Sequence, residues 1–385
     1  MTMRIEWQIG FWVGAFLLLV LLLWLFSGVL LPFAAAVALG YLLDPVVDRL
    51  ERLGMNRLGA TLFIIACFAL VLTLISILIL PVLWRQLANF VEVLPAYAVT
   101  LQGLISGEIG RLSREYGGDL IEKLGLGEGA GAQIASATND LVAQAAQWTA
   151  SFLNSLLTRS AALINLISLL IVTPVVTFYM LLHWDKLVAT IDGLVPLSHR
   201  DTVRGLALEI NTGMAGFLRG QSFICLFLGA WYGIGLSLIG LNFGLLIGIM
   251  AGVLSFIPYV GSLTALILAS TVAIVQDWPR WNLLALSLTV VLVGQFLEGN
   301  ILSPMLVGES VGLHPVWLIF ALLAFGSLFG FTGLIVAVPV AAAAGVILRF
   351  AVARYRESAL YKGEPSTDRE LLLKSGTTFP RRGGD

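Results

Sequence analysis

Residues 283–304 read LLALSLTVVLVGQFLEGNILSP, an apolar run into which Gln295, Glu298 and Asn300 are set within six residues, before Pro304. About 20 apolar residues are needed to cross the hydrocarbon core of a bilayer, so 283–302 reads as a membrane span. An acidic side chain in mid-span costs on the order of 3 kcal/mol, and such groups usually face a bundle interior or a wet cavity and mark a pathway. Glu298 is therefore the first functional candidate. Gln295 lies three residues earlier and points to roughly the same side of a helix. There its amide completes the hydrogen bonding of a carboxyl that takes up and releases a proton, and Asn300 adds to the polar lining. The blander alternative is a structural hydrogen bond between helices.

Working outward, the 385-residue chain is 58% hydrophobic and 12% charged, with formal net charge −1 and mean hydropathy +0.95. No soluble core of this size uses such long apolar runs. The fold class expected is an all-α polytopic membrane protein with about eight transmembrane helices, some broken or re-entrant, and a small helical extramembrane insertion. Candidate spans are 9–27, 29–43, 59–82, 161–182, 222–239, 241–275, 283–302 and 312–348. The second is short enough to be re-entrant or tilted. The sixth and eighth are too long for one straight crossing and contain Pro258 and Pro339, where a broken backbone survives only if neighbours or a wet cavity re-satisfy it. Pro258, Pro304 and Pro339 are accordingly expected as helix breaks, with Gly261 and Gly330 permitting a pivot or a close approach.

Eight spans place both termini on one side, and positive charge marks the cytoplasmic loops. On that reading 17 of the 22 Lys and Arg residues are inside, including Arg280, while Arg85, Arg111, Arg114, Lys123 and Arg159 share one long outer loop. Six spans with two hairpins score equally well. The first span reads as a retained anchor, not a secretory signal.

Four regions follow: membrane helices over 1–84, an extramembrane helical region over 85–159, a membrane bundle with the transport motifs over 160–350, and a cytoplasmic disordered tail over 351–385. In the second, Leu141, Ala145, Trp148, Phe152 and Leu156 form an amphipathic stripe. A short outer turn is expected over 309–315. Gly240, Gly244, Gly248 and Gly252 recur every four residues, spacing that clears one helix face for close packing. The spacing leaves open whether the partner is another span or another subunit.

Several chemistries are disfavoured. No phosphate-binding loop, dinucleotide fingerprint, zinc-protease motif or clustered metal ligands occur, nor a G-x-S-x-G elbow. No cofactor, metal or nucleic-acid partner is expected, and an enzyme is the weaker hypothesis. Cys67 and Cys225 fall in separate spans without metal-type spacing and read as packing residues.

The sequence Gln295-x-x-Glu298-Gly299-Asn300-x-x-x-Pro304 is followed by Gly308, Gly312-Leu313-His314-Pro315, Gly330-Phe331-x-Gly333 and Pro339. Together with Phe256-Ile257-Pro258-Tyr259-Val260-Gly261 and Tyr41-Leu42-Leu43-Asp44-Pro45, this resembles the autoinducer-2 exporter family, also described as PerM-like permeases, over residues 10 to 350. The resemblance implies a multi-pass bacterial inner-membrane transporter with eight membrane helices, assembled as a homo-oligomer with a pentamer the expected form. Some relatives are associated with export of autoinducer-2, others with exchange of sodium or lithium for protons. The reading that follows is a secondary transporter for a small polar metabolite or signal. A monovalent cation/proton antiporter and a non-transporting membrane scaffold are the alternatives.

Overall fold

The computed structural model describes residues 20–116, 160–308 and 314–362, together with Gly14, Ala15, Leu17 and Leu18. The helices are α1 (Ser27–Arg52), α2 (Arg57–Tyr116), α3 (Ser160–Leu194), α4 (Arg200–Leu238), α5 (Gly244–Leu254), α6 (Val260–Asp277), α7 (Asn282–Leu297), a π-helical segment (Glu298–Val307), α8 (Pro315–Glu357) and α9 (Ala359–Lys362). Among the described residues there is no strand, and seven helical stretches are long and apolar enough to cross a membrane. The protein is an all-α polytopic membrane protein. Residues 9–13, 16 and 19 of the first expected span, the stripe over 141–156, residues 309–313 of the expected outer turn and the tail beyond 362 lie outside the described residues.

Helical residues 20–25 pass into α1 with only Phe26 between, and the Phe26 N–H donates to the Leu22 carbonyl at 2.9 Å. One residue of near-helical geometry (φ −96°, ψ 16°) cannot reverse a chain, so 20–52 advances in one direction. The second expected span is thus a full helix of 26 residues. Its partner is α3, whose Thr173 and Thr177 hydroxyls donate to the Pro32 and Ala36 carbonyls at 3.2 and 3.4 Å. At the α1–α2 turn Arg57 ties three helices together. Its Nε donates to the Leu181 carbonyl at 2.9 Å, and its guanidinium pairs with Asp185, Glu51 and Asp44 at 2.5, 3.7 and 3.8 Å. Beyond it α2 continues for 60 residues, so the region boundary drawn at residue 84 falls inside a helix.

The centre of the bundle is α4, and α5 folds back along it. A Cβ at Gly244 would strike the backbone at Leu236 and Ser237, one at Gly248 that of Tyr232 and Gly233, and one at Gly252 that of Gly229 and Cys225. The partners descend on α4 as the glycines ascend on α5, which is antiparallel packing within one subunit. Gly240 takes no part: it sits in the connecting turn at φ +78° with nothing within 4 Å of a built Cβ. Its spacing belongs to the series, but its work is conformational.

At 11 residues, α5 is only about 16 Å long and stops short of a roughly 30 Å hydrocarbon core. The chain turns at Ser255–Tyr259 and returns as α6, whose Gln276 receives the Asn242 N–H at 2.8 Å and donates to the Gly240 carbonyl at 2.8 Å. The sixth apolar run is therefore a re-entrant hairpin, entering and leaving at the Ile239 end of α4.

The eighth run does the same from the opposite side. Gly330 is non-helical inside α8 (φ 61°, ψ −140°). A Cβ at Gly333 would meet Phe325, and one at Gly326 would meet Leu334. Residues eight apart in a straight helix are about 12 Å apart along its axis, so the two arms double back on each other. Arg349 of the second arm pairs with Glu209 at 2.9 Å, which places the open end of this hairpin toward the Arg200 end of α4.

These reversals correct the sidedness expected for the loop that carries Arg280. The stretch 278–281, with Arg280, lies at the Ile239 end, where α2 also passes, because Gln86 accepts the Leu246 N–H at 2.9 Å. The π segment, which leads toward the expected outer turn, ends at the Arg200 end. There α7 and its π segment run antiparallel to α4, Val290 against Gly235 and Leu306 against Gly220. A hydropathy run gives extent but not direction, which is why one crossing was expected from each.

Two outcomes follow. Gly248→Ala forces a methyl into the α4 backbone, an overpacking defect of about 1–3 kcal/mol, whereas Gly205→Ala meets nothing. Thermal unfolding of the purified protein should show a lowered midpoint for the first only. Single cysteines at Asn242 and Arg280 should react with an impermeant maleimide from the same face of intact cells, and labelling from opposite faces would rule out the α5–α6 hairpin.

Candidate functional site

Beside the middle of α4, between the α5–α6 tip and the arms of the α8 hairpin, lies a cavity of about 970 Å³. Its wall takes Phe217 and Gln221 from α4, Pro258, Tyr259 and Ser262 from the α5–α6 tip, and Gln295 from α7. It takes Glu298, Gly299, Ser303 and Val307 from the π segment, and Leu318, Val338 and Arg349 from α8. The volume lies at the upper end of the range for small-molecule sites, and the mixture of apolar wall with a few polar groups is typical of them.

Each element presents its side chain for a local reason. Proline at 258 lacks an N–H and ends the α5 side of the turn, and Tyr259 takes a left-handed conformation (φ 69°) that starts α6. Gly261 lets the first turn of α6 lie directly on the Ala251 carbonyl and Ser255, where a Cβ would collide. That is a close approach, and it fixes the tip. The tip is tied to α4 by the buried Gln221, whose amide donates to the Ser255 carbonyl at 2.5 Å. The Ser255 hydroxyl in turn donates to the Ala251 carbonyl at 2.8 Å.

The π segment decides which polar residues share the cavity. Hydrogen bonding from i to i+5 stacks residues five apart instead of three or four, and Glu298, Ser303 and Gly308 at that interval all line the wall. Gln295 belongs to the preceding α-helical turn and reaches the same space. Asn300 does not. It is exposed, and its amide donates back to the Phe296 carbonyl at 3.1 Å, satisfying its own helix. Pro304 is also exposed and off the wall, and Pro339 is buried inside α8 beside the wall residue Val338.

Glu298 is half-buried, and Arg349 is the other charged residue on the wall, held by Glu209. Gln221, Ser262, Gln295 and Ser303 supply neutral donors and acceptors. Among the described residues no group of three or more His, Cys, Asp or Glu could hold a metal ion. The arrangement suits reversible binding of a small polar solute, with one carboxylate to take up a proton or a positive charge.

Four wall residues escape sequence reasoning. Gln221 adjoins the expected start of the fifth span, where a polar residue carries no signal. Ser303 is off the α-helical face of Glu298, and only the π geometry brings it round. Ser262 and Arg349 reach the cavity through reversals of direction that no spacing announces.

Comparison with known proteins gives a consistent picture. The family model for AI-2E family transporters matches residues 13–353. YrrI of Bacillus subtilis (strain 168), provisionally named a transport protein, is 28% identical over 327 residues, covering 83% of this chain and 86% of its own. PerM of Escherichia coli (strain K12), provisionally named a permease, is 28% identical over 327 residues with the same coverage of 83% and 86%. A second Bacillus subtilis relative, YueF, is 27% identical over 320 residues, 82% of each chain.

Gln221→Ala should strand the Ser255 carbonyl at the tip and cost about 1–3 kcal/mol. Ser262→Ala, which removes one contact of 3.3 Å to the Tyr259 carbonyl, should cost less. Melting of the two purified variants checks the order.

Proposed function

The chain belongs to the AI-2E family of transporters, and from that premise we propose that the cavity between the α5–α6 tip and the arms of the α8 hairpin is the substrate chamber of a secondary membrane transporter. The observation that carries the reading is the position of Glu298: a carboxylate in a membrane-spanning segment, on the wall of a cavity lined by two hairpins that enter from opposite ends. Transporters place their sites at such discontinuous helices near mid-membrane. The substrate is a small polar metabolite such as autoinducer-2, and the direction is export from a bacterial cell across its inner membrane. Gln221, Ser262, Gln295 and Ser303 offer amides and hydroxyls suited to a polyhydroxylated solute, while Phe217, Val307, Leu318 and Val338 exclude water from its carbon face. The working form is a homo-oligomer, and the exposed apolar side chains of α2, Ile77 and Leu78 among them, are available to lipid or to a neighbouring copy.

Access alternates as one tip or the other withdraws. The left-handed residues at the tips, Tyr259 and Gly330, lie where the backbone already departs from helix.

The purified protein in liposomes with an internal pH dye, challenged with the autoinducer-2 precursor, sodium or lithium, tests the reading. A proton signal with the precursor is expected, reduced about 10- to 100-fold by Glu298→Gln, the range for losing a hydrogen-bonded charged partner. A signal with sodium or lithium alone would make the protein a cation/proton antiporter. Unchanged flux in a well-expressed Glu298→Gln protein would remove Glu298 from the mechanism.

A further inference from the structure

Tyr232 of α4 is wholly buried, at 0% exposure, and its hydroxyl has no hydrogen-bond partner. Buried hydroxyls are nearly always paired, so an unpaired one next to a functional site calls for a reason. Its position is set by α7. A Cβ at Gly294 would fall 2.8 Å from the tyrosine oxygen, so the hydroxyl lies against the bare backbone of that residue. Glu298 stands four residues beyond Gly294, one turn along the same face.

The antiparallel register of α7 on α4, with Leu306 against Gly220 and Tyr232 against Gly294, sets Glu298 beside the stretch of α4 between Cys225 and Tyr232. Among the described residues no hydrogen bond or ion pair is made to that carboxyl. A donor without an acceptor and an acceptor without a donor thus lie about one helical turn apart along the same helix pair. The other orphaned hydroxyl of α7, Ser287, is eleven residues from Glu298, about 16 Å along the axis.

We propose that Tyr232 is the positioning residue of Glu298: its O–H donates to the Glu298 carboxylate when the carboxyl swings from the cavity toward α4, and releases it when substrate draws the carboxyl back. The proposal rests on the reading of Glu298 as the transport carboxylate. No covalent bond changes and no proton leaves the tyrosine. Such a charge-assisted bond is short and roughly twice as strong as a neutral one. The other titratable or charged groups around Glu298 are Cys225 on α4, Tyr259 at the α5–α6 tip and Arg349 on α8. A thiol is a weak donor, Tyr259 is 62% exposed, and Arg349 is engaged by Glu209. Tyr232 is the buried strong donor that remains.

The test is infrared difference spectroscopy of the full-length protein in liposomes between acidic and alkaline buffer. Bands lost in Glu298→Gln identify the carboxyl. Tyr232→Phe keeps the ring and its packing on Gly294 and removes only the donor. The proposal expects the Glu298 carboxylate bands to shift in that variant, with unchanged helical content and melting, and precursor-driven proton flux to fall about tenfold. Gly294→Ala, which pushes the ring aside, should shift the same bands. If the Glu298 bands are identical in wild type and Tyr232→Phe, the proposal is overturned whatever the flux. Wild-type flux in Glu298→Gln would instead overturn the transport reading, and the band position would still report on the contact.

Discussion

The architecture depends on backbone-to-backbone contact between α4 and α5, where Gly229 and Gly233 face Gly248 and Gly252 with no side chain between them. Apolar burial provides little drive for helix association in a bilayer, because lipid tails are as apolar as leucine; close packing and hydrogen bonds must supply it. The glycine seam brings α5 near enough for Gln221 to reach the Ser255 carbonyl. That bond fixes the depth of the tip, and the tip forms one wall of the cavity. Remove the seam and the hairpin has no fixed depth, and neither has the site.

The same constraint explains why the chain tolerates so much irregular backbone. In hydrocarbon every N–H and C=O must find a partner within the protein. The α5–α6 turn meets this with Gln221 and Ser255, the loop at the Ile239 end with Gln276, and the π segment with the Asn300 amide. Polar side chains in the spans are thus mostly repairs to the backbone. Glu298 is set apart because the described residues give it no such task.

This division bears on what could be read from the sequence. The all-α class and the apolar runs were legible because hydropathy is a local signal, and a lone mid-span carboxylate singled out Glu298, which the structure gathers with Gln295 and Pro258 around one cavity. The reversal at Gly330 was not. A glycine in an apolar helix reads equally as packing, and only the contact of Gly333 with Phe325 shows the arms folded together. Asn300 was grouped with Glu298 because they are two residues apart, yet it turns away. Ser303 was passed over because α-helical spacing puts it elsewhere, and nothing in Glu298-Gly299-Asn300 announces a π-helix. The glycine series was visible, but its partner was settled only in three dimensions.

The opposed hairpins have an electrical consequence. The cavity extends along α8 as far as Arg349 at the Arg200 end, whereas the register of α7 on α4 sets Glu298 beside the stretch between Cys225 and Tyr232. From there to Ile239 the dry part of the protein is on the order of 15 Å thick. A transmembrane voltage falls mainly across the poorly conducting layer, so it is concentrated on that half of the bundle. A unit charge carried through it exchanges about 2.3 kcal/mol with every 100 mV. The protonation state of Glu298 at the moment of passage, as much as the charge of the cargo, therefore decides whether the cycle moves current.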